Sequence, residues 1–276
     1  MKLSCQEHIV PGESFAERLA FLNDLGFEGI ELTLGDRGIM EGSLRHRVEE
    51  IRSALADSPV RVSAVCTKVY DLLDCNPEAR KAAMAQVVDG LEVAAAVGAV
   101  GNIIVPRFGA PVLPDLSPVF APRQLEQLLI VAMLKELASR AEELGVLIMM
   151  EPLHRYIAKF LRTVDHGIQI CQEVGSPNVR IMIDTFQSLQ DEVWVPDSIR
   201  RAGPFVHHIH LSDNNRRLPG FGSTDFRAIF AALRDINYGN YMSYECEVPG
   251  DKAAELRAAA DFTKRALEES KEVARV

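Results

Sequence analysis

The sequence predicts an α/β fold, a single (β/α)8 TIM barrel running over residues 1–276. Three observations carry this expectation. Short apolar runs alternate with amphipathic stretches from end to end. Eight such units fit within 276 residues. No GxGxxG or GxxxxGK[ST] loop follows any of the runs. Alternation gives parallel strands joined by right-handed crossovers. Eight units in a chain of this length suit a closed barrel better than an open sheet. The missing glycine-rich loops argue against a dinucleotide-binding or P-loop fold.

The strand candidates are KLSCQEHI (2–9), FEGIEL (27–32), VRVSAVC (60–66), GNIIVP (101–106), VLIMMEP (146–152), VRIMID (179–184), FVHHIHLS (205–212) and YMSYECE (241–247). Most are rich in Val, Ile, Leu and Met, as strands buried on both faces are. The helices between them are punctuated. SFAERLAFLNDLG stops at Gly26, and NPEARKAAMAQVVDGLEVAAAVG opens on an Asn-Pro cap and stops at Gly98. APRQLEQLLIVAMLKELASRAEELG stops at Gly145, and TVDHGIQICQEVG stops at Gly175. Such residues start and end helices because they satisfy or terminate the backbone ladder. DFRAIFAALRDIN, a short stretch near Pro196 to Ala202, and Asp251 to Val276 complete the set. The longest irregular stretch, Arg107 to Pro122, follows strand four. It is expected at the catalytic face as a lid or a partner contact.

Composition narrows the function. A formal charge of −9 and a pI near 5.3 repel phosphate backbones, so nucleic acid is a poor partner. The five cysteines are scattered and form no CxxC, which suits reduced thiols in a cytoplasm. MKLSCQEHIVPGES has no apolar stretch long enough for a signal peptide, and Leu128 to Leu134 is too short to span a bilayer. A cytoplasmic protein without membrane contact is expected.

In a barrel, the C-terminal strand ends face the site. Strand five ends in Glu151, strand six in Asp184, strand seven in His210 and strand eight in Glu245, separated by 33, 26 and 35 residues. Four consecutive strands thus present a ligand-capable side chain at one height. Any one of the carboxylates alone reads more often as a helix cap or an ion-pair partner than as a ligand. Together, three carboxylates and an imidazole suit one divalent cation, Mn²⁺ or Mg²⁺ before Co²⁺ or Zn²⁺. A charge buried at an apolar strand tip needs such compensation. His208 shares a face with His210 and is expected behind it, His207 faces the outer helices, and His46 and His166 lie on helix surfaces.

The motifs MMEPLHRY (149–156), PNVRIMIDTFQS (177–188), VHHIHLSDNNRRLPGFG (206–222) and YMSYEC (241–246) resemble those of the sugar isomerase/epimerase family, with its xylose-isomerase-like barrel and its ketose 3-epimerases. The resemblance implies that Glu151, Asp184, His210 and Glu245 are the metal ligands. It implies that Glu151 and Glu245 move a proton on opposite faces of a sugar carbon, and that Arg216 holds substrate. It also implies a small-molecule sugar substrate and a homo-oligomer. The chemistry needs these groups. A proton beside a ketone is only weakly acidic, a cation on the neighbouring oxygens stabilises the enediolate, and two carboxylates on opposite faces invert the carbon.

The chain departs from the ketose 3-epimerase pattern at three positions. Gln187 replaces a histidine, Ile157 replaces a glutamate, and His154 stands where asparagine is usual. Gln187 is still expected to touch substrate. A histidine at 154 can act as an acid or base near neutral pH. It resembles the histidine in catalytic subunits of C-glycoside deglycosidases, which cleave 3-keto-glycosides by elimination beside a small β-sandwich subunit. A keto-glycoside lyase in a hetero-complex is therefore the alternative, and a non-catalytic sugar-binding protein is a third. The apurinic endonucleases of the same fold need a histidine at 187 and a DxH after strand seven, and this chain has neither. His8 and Cys66 end strands one and three and are expected to line the sugar pocket. Arg217 is a further clamp candidate beside Arg216, and Phe186 and Trp194 are candidates to cover a ring face or a subunit contact.

Overall fold

The computed structural model of the chain describes residues 1–33, 44–67 and 71–272, so the last four residues of the C-terminal segment expected to reach Val276 lie outside the described residues. Eight parallel strands close into a barrel in chain order, and β8 returns to pair with β1. They are β1 (Lys2–Gln6), β2 (Gly29–Thr33), β3 (Arg61–Cys66), β4 (Gly101–Ile104), β5 (Leu147–Met150), β6 (Val179–Asp184), β7 (Val206–Leu211) and β8 (Tyr241–Tyr244). Outside them run α1 (Phe15–Asp24), α2 (Val48–Ala56), α3 (Pro77–Val97), α4 (Pro122–Leu144), α5 (Val164–Val174), α6 (Thr185–Asp191), α7 (Val195–Ala202), α8 (Phe226–Asp235) and α9 (Lys252–Glu269). Among the described residues, no helix is long and apolar enough to cross a membrane.

The helix punctuation works as expected. Asn76 caps α3 through the Glu78 backbone N–H, Pro77 follows it, and Gly98 ends the helix in the left-handed region at φ 72°. Two helices carry no signal strong enough to read. In α2 only Ile51 and Leu55 are buried, and α6 is a seven-residue piece without an apolar period. The first strand is shorter than expected. It stops at Gln6 because Arg18 and Arg47 each hold the Glu7 carboxylate at 3.1 Å and turn the chain aside. His8 therefore sits on a 3-10 turn, Glu7–Ile9, rather than on the strand.

Register sets the height of the site. Asp184 pairs with His210 across β6 and β7, and His210 pairs with Ser243 across β7 and β8. Glu151 follows Met150, whose partner is Ile181. Glu245 follows Tyr244, which is fully buried and held from outside by α9. Its hydroxyl lies 2.6 Å from Thr263 Oγ1 and donates to the Ala259 carbonyl at 3.1 Å, and its ring meets Phe27 edge-on. Burying a ring of that size stabilises the fold by about 2 kcal/mol. Because strand side chains alternate, anchoring Tyr244 outward turns Glu245 inward.

The lumen is chemically divided. Ala64, Ile103, Met149 and Met182 form a dry patch on the β3–β6 side, with Cys66 against it. On the other side Glu31 of β2 reaches His208 and His210 of β7, strands that are not neighbours, so the contact crosses the barrel interior.

Candidate active site

The four predicted strand tips converge. Glu151, Asp184, His210 and Glu245 each offer a ligand atom, and those atoms all lie within 4.8 Å of one another. Donors on opposite sides of one hard divalent ion stand roughly 4.2 Å apart, from metal–oxygen distances of about 2.1 Å. Three carboxylate oxygens and an imidazole nitrogen at this spacing fit such an ion. Glu151, Asp184 and His210 are buried, and only Glu245 keeps partial exposure.

Asp184 has two tasks. Its Oδ1 caps α6, accepting from the backbone N–H of Phe186 at 2.8 Å and of Gln187 at 3.4 Å. Its Oδ2 accepts from Arg216 Nη1 at 2.5 Å. The capping bonds fix the carboxylate plane, so the second oxygen stays aimed at the cluster. Arg216 Nη2 also donates to Glu245, and the guanidinium lies over the Phe186 ring at 5.1 Å. Sequence reasoning expected Arg216 to hold substrate, and the structure places it between two of the candidate ligands. Arg217 turns away, donating to Glu255 on α9, so it is no part of the clamp.

The electrostatics separate the two glutamates. Burial, reinforced by the charges of Glu245 and Asp184, pushes the Glu151 carboxyl well above the ordinary range against the pull of His210 and Arg216. Burial also acts to raise Glu245, but Arg216 and His210 overcome it and hold that group well below the ordinary range.

The βα loops complete the mouth. His154 is buried on the loop after β5. Its Nδ1 accepts the Tyr156 backbone N–H at 3.2 Å, so a neutral ring carries its proton on Nε2. Its own backbone N–H donates to the Gln187 side-chain oxygen at 3.2 Å, and its ring meets Phe186 edge-on at 5.8 Å. Gln187 thus ties the loop after β5 to the Asp184 cap. Ile157 packs with Val105, Leu153 and Ala158 in a small apolar cluster, where a carboxylate would be stranded. The segment after β4 docks on this loop, with Gly109 N–H donating to the Ile157 carbonyl at 2.8 Å. Trp194 stands at the N-terminal end of α7 and is exposed. Cys66 is half-buried at the end of β3, and His8 is half-buried on the 3-10 turn that follows β1. His46 is exposed as expected, whereas His166 is half-buried and bonded to Gln127 on α4 at 2.8 Å.

Two carboxylates beside the site escaped the sequence reading. Glu31 sits within β2 under the cluster, held there by hydrogen bonds. Burial acts to raise its pKa, but the charge of His210 and the bonds from His208 and His210 keep it well below the ordinary range. A glutamate inside FEGIEL was the available signal, because an apolar strand does not bury a charge without partners. Asp213, just past β7, organises the loop that carries Arg216. Its Oδ1 accepts from Asn214 and Thr224 N–H, and its Oδ2 from Gly220 and Gly222 N–H, at 2.8 to 3.1 Å. A Cβ at Gly222 would stand 2.4 Å from Asp213 Oδ1, so only glycine lets the loop close.

A closed parallel barrel with three carboxylates and an imidazole gathered at its C-terminal rim defines a (β/α)8 protein with a candidate divalent-metal centre. The chain belongs to the xylose isomerase-like TIM barrel family, whose sequence model matches residues 19–266. It is 27% identical over 260 residues to the 3-dehydro-D-guloside 4-epimerase of Escherichia coli (strain K12), covering 92% of this chain and 95% of that protein. A D-psicose 3-epimerase of Enterocloster bolteae is 45% identical over a shorter stretch of 105 residues, 38% of this chain and 35% of that one. The same fold is seen in the apo crystal structure of 3-keto-D-glucoside 4-epimerase from E. coli, with a TM-score of 0.82 and 24% identity over 99% of this chain and 100% of that one. It is seen again in an L-ribulose 3-epimerase, with a TM-score of 0.82 and 20% identity over 98% of this chain and 96% of that one.

Proposed function

We propose that this chain is a divalent-metal-dependent epimerase that inverts a C–H centre beside the carbonyl of a keto-sugar. The observation that carries this reading is the convergence of Glu151, Asp184, His210 and Glu245, whose ligand atoms all lie within 4.8 Å of one another. A cation held by Glu151, Asp184, His210 and Glu245, with Mn²⁺ preferred, would supply Lewis-acid stabilisation of the charge that develops beside the carbonyl. Glu151 and Glu245 serve opposite faces of the carbon: one, as a carboxylate, takes the proton, and the other, as a carboxylic acid, returns one. Arg216 steadies both the Asp184 and Glu245 carboxylates, and His154 offers its Nε2–H to a sugar oxygen.

The substrate class is a keto-glycoside in preference to an open-chain ketose. Of two relatives that span most of the chain, the more similar, at 27% identity, is named for a 3-dehydro-D-guloside, and the other, at 24%, is named a ketose 3-epimerase. The two positions where the ketose 3-epimerases carry a histidine and a glutamate are engaged here in other work. Gln187 bonds the His154 backbone and Ile157 fills an apolar cluster. The relatives described above all carry epimerase names, which gives the lyase alternative no support. The scattered cysteines and the lack of a CxxC keep a cytoplasmic location as the reading. The partner expected is a second copy of the chain, near the exposed Val119, Tyr156, Val193 and Trp194 of the loops after β4, β5 and β6.

The test is proton exchange. The Mn²⁺-loaded protein is incubated in D₂O with a panel of 3-keto-glycosides and ketoses and followed by NMR. One deuterium is expected at the inverted carbon, lost in Glu245→Gln. Absence of exchange across the whole panel rules the reading out.

A further inference from the structure

Behind the candidate ligands lies a second buried group that the proposed proton transfer does not use. Glu31, His208 and His210 are each buried, and Gln6 joins them. The Glu31 carboxylate receives every donor around it. Its Oε1 lies 2.8 Å from Gln6 Nε2 and 3.1 Å from His210 Nε2. Its Oε2 lies 2.8 Å from His208 Nε2 and 3.0 Å from His210 Nε2. These are hydrogen-bond lengths, and an ionised carboxylate only accepts. Both histidines therefore carry a proton on Nε2. For His210 this leaves Nδ1, which lies 3.1 Å from Glu245 Oε2, as the nitrogen turned toward the four-residue cluster.

We propose that Glu31 is the positioning residue of the metal centre, fixing the His210 ring so that Nδ1 is presented to a divalent cation, with His208 and Gln6 bracing the carboxylate from behind. The inference rests on the metal reading above. Its physical basis is the demand that a ligating imidazole hold its other N–H on an acceptor, which sets the tautomer and the ring angle. Three N–H donors converge on two oxygens here. Replacing the carboxylate with an amide leaves one oxygen and puts an NH₂ against a donor. The least costly relief is for His210 to accept at Nε2 and carry its proton on Nδ1, which removes a ligand from the cluster.

The test titrates Mn²⁺ alone into metal-free wild type and Glu31→Gln, by calorimetry or by the free-ion EPR signal, with thermal melts in chelator to verify folding. The variant is expected to bind Mn²⁺ about 10- to 100-fold more weakly. Equal affinity in a folded variant overturns the positioning role while leaving the metal reading intact. No binding by wild type overturns both. Should Glu31→Gln fail to fold, ¹⁵N-histidine spectra of the Mg²⁺-loaded wild type decide. The expected pattern is Nε2–H on His210, and an Nδ1–H pattern overturns the proposal.

Discussion

Arg216 Nη1 lies 2.5 Å from Asp184 Oδ2, and the same guanidinium reaches Glu245, so one positive charge is shared between two carboxylates of the candidate metal centre. Arg216 reaches them from a backbone in the left-handed region at φ 65°, a conformation that costs a side-chain-bearing residue roughly 1 kcal/mol. The Asp213 loop maintains that cost. Arg216 and a divalent cation are therefore two sources of positive charge for one set of buried carboxylates.

The first prediction follows from this. Arg216→Gln removes one source, leaving Asp184 without its guanidinium partner and Glu245 with His210 alone, a change expected to cost about 3 kcal/mol in chelator. In a barrel of this size that lowers the melting temperature by roughly 5 °C. Mn²⁺ is expected to recover most of the loss, so metal addition stabilises the variant more than wild type. Melting curves with EDTA and with Mn²⁺ check both halves. A variant that melts like wild type in EDTA disproves the shared-charge argument.

Asp213 provides the second. Four backbone N–H groups of the Arg216 loop end on the two oxygens of its carboxylate, and Asp213→Ala leaves all four donors without that acceptor. Water can reach part of this loop, so the cost is expected near 2 kcal/mol rather than the sum of four buried losses. Turnover is expected to fall further than stability does, because Arg216 loses its aim. Hydrogen exchange should show lost protection confined to residues 214–224. Protection lost throughout the barrel would show a general packing role instead.

How much of this was legible in the chain differs by residue. The strands could be read because both faces are buried, so apolar runs are nearly continuous. Glu151, Asp184, His210 and Glu245 could be read because each interrupts such a run at its end, at a βα spacing. Glu31 obeys the same logic from inside a strand, but its partners are on β1 and β7, and no spacing rule joins them. Arg216 could be named, though its contact with Asp184 depends on a left-handed turn that the sequence does not announce. Arg217, one position on, points to α9 instead. The helix α6 was hidden because the residue that starts it, Asp184, reads first as a ligand.

A third prediction concerns pH. His166 on α5 is half-buried, bonded to Gln127 and close to Arg123. Burial, and then the Arg123 charge, depress its pKa from 6.5 to about 4. The folded state thus disfavours the protonated ring, and the unfolded chain binds the extra proton between those values. Stability tied to the neutral ring is complete above about pH 6.5 and is lost as pH falls toward 4, on the order of 2 kcal/mol. His166→Gln should flatten that part of the stability profile measured by urea unfolding. An unchanged slope in the variant would remove His166 as the source.

The last prediction separates two roles for His154. Its Nδ1 is committed to the Tyr156 N–H, and burial lowers its pKa, so near neutral pH the ring is an uncharged Nε2–H donor. A donor that orients a sugar oxygen contributes through binding and alignment. Its loss in His154→Ala should reduce kcat/KM about tenfold, or about 1.4 kcal/mol, through a higher KM and with D₂O exchange retained. His154→Gln, whose amide also donates, should recover part of that loss. A general acid or base behaves differently, because both variants would then lose 10²-fold or more in kcat and one limb of the pH–rate profile would vanish. The two glutamates already supply a group for each face of the carbon. A third proton-transfer residue is needed only if a leaving group must be protonated. Collapse of kcat in both variants would therefore count against epimerisation and in favour of bond cleavage.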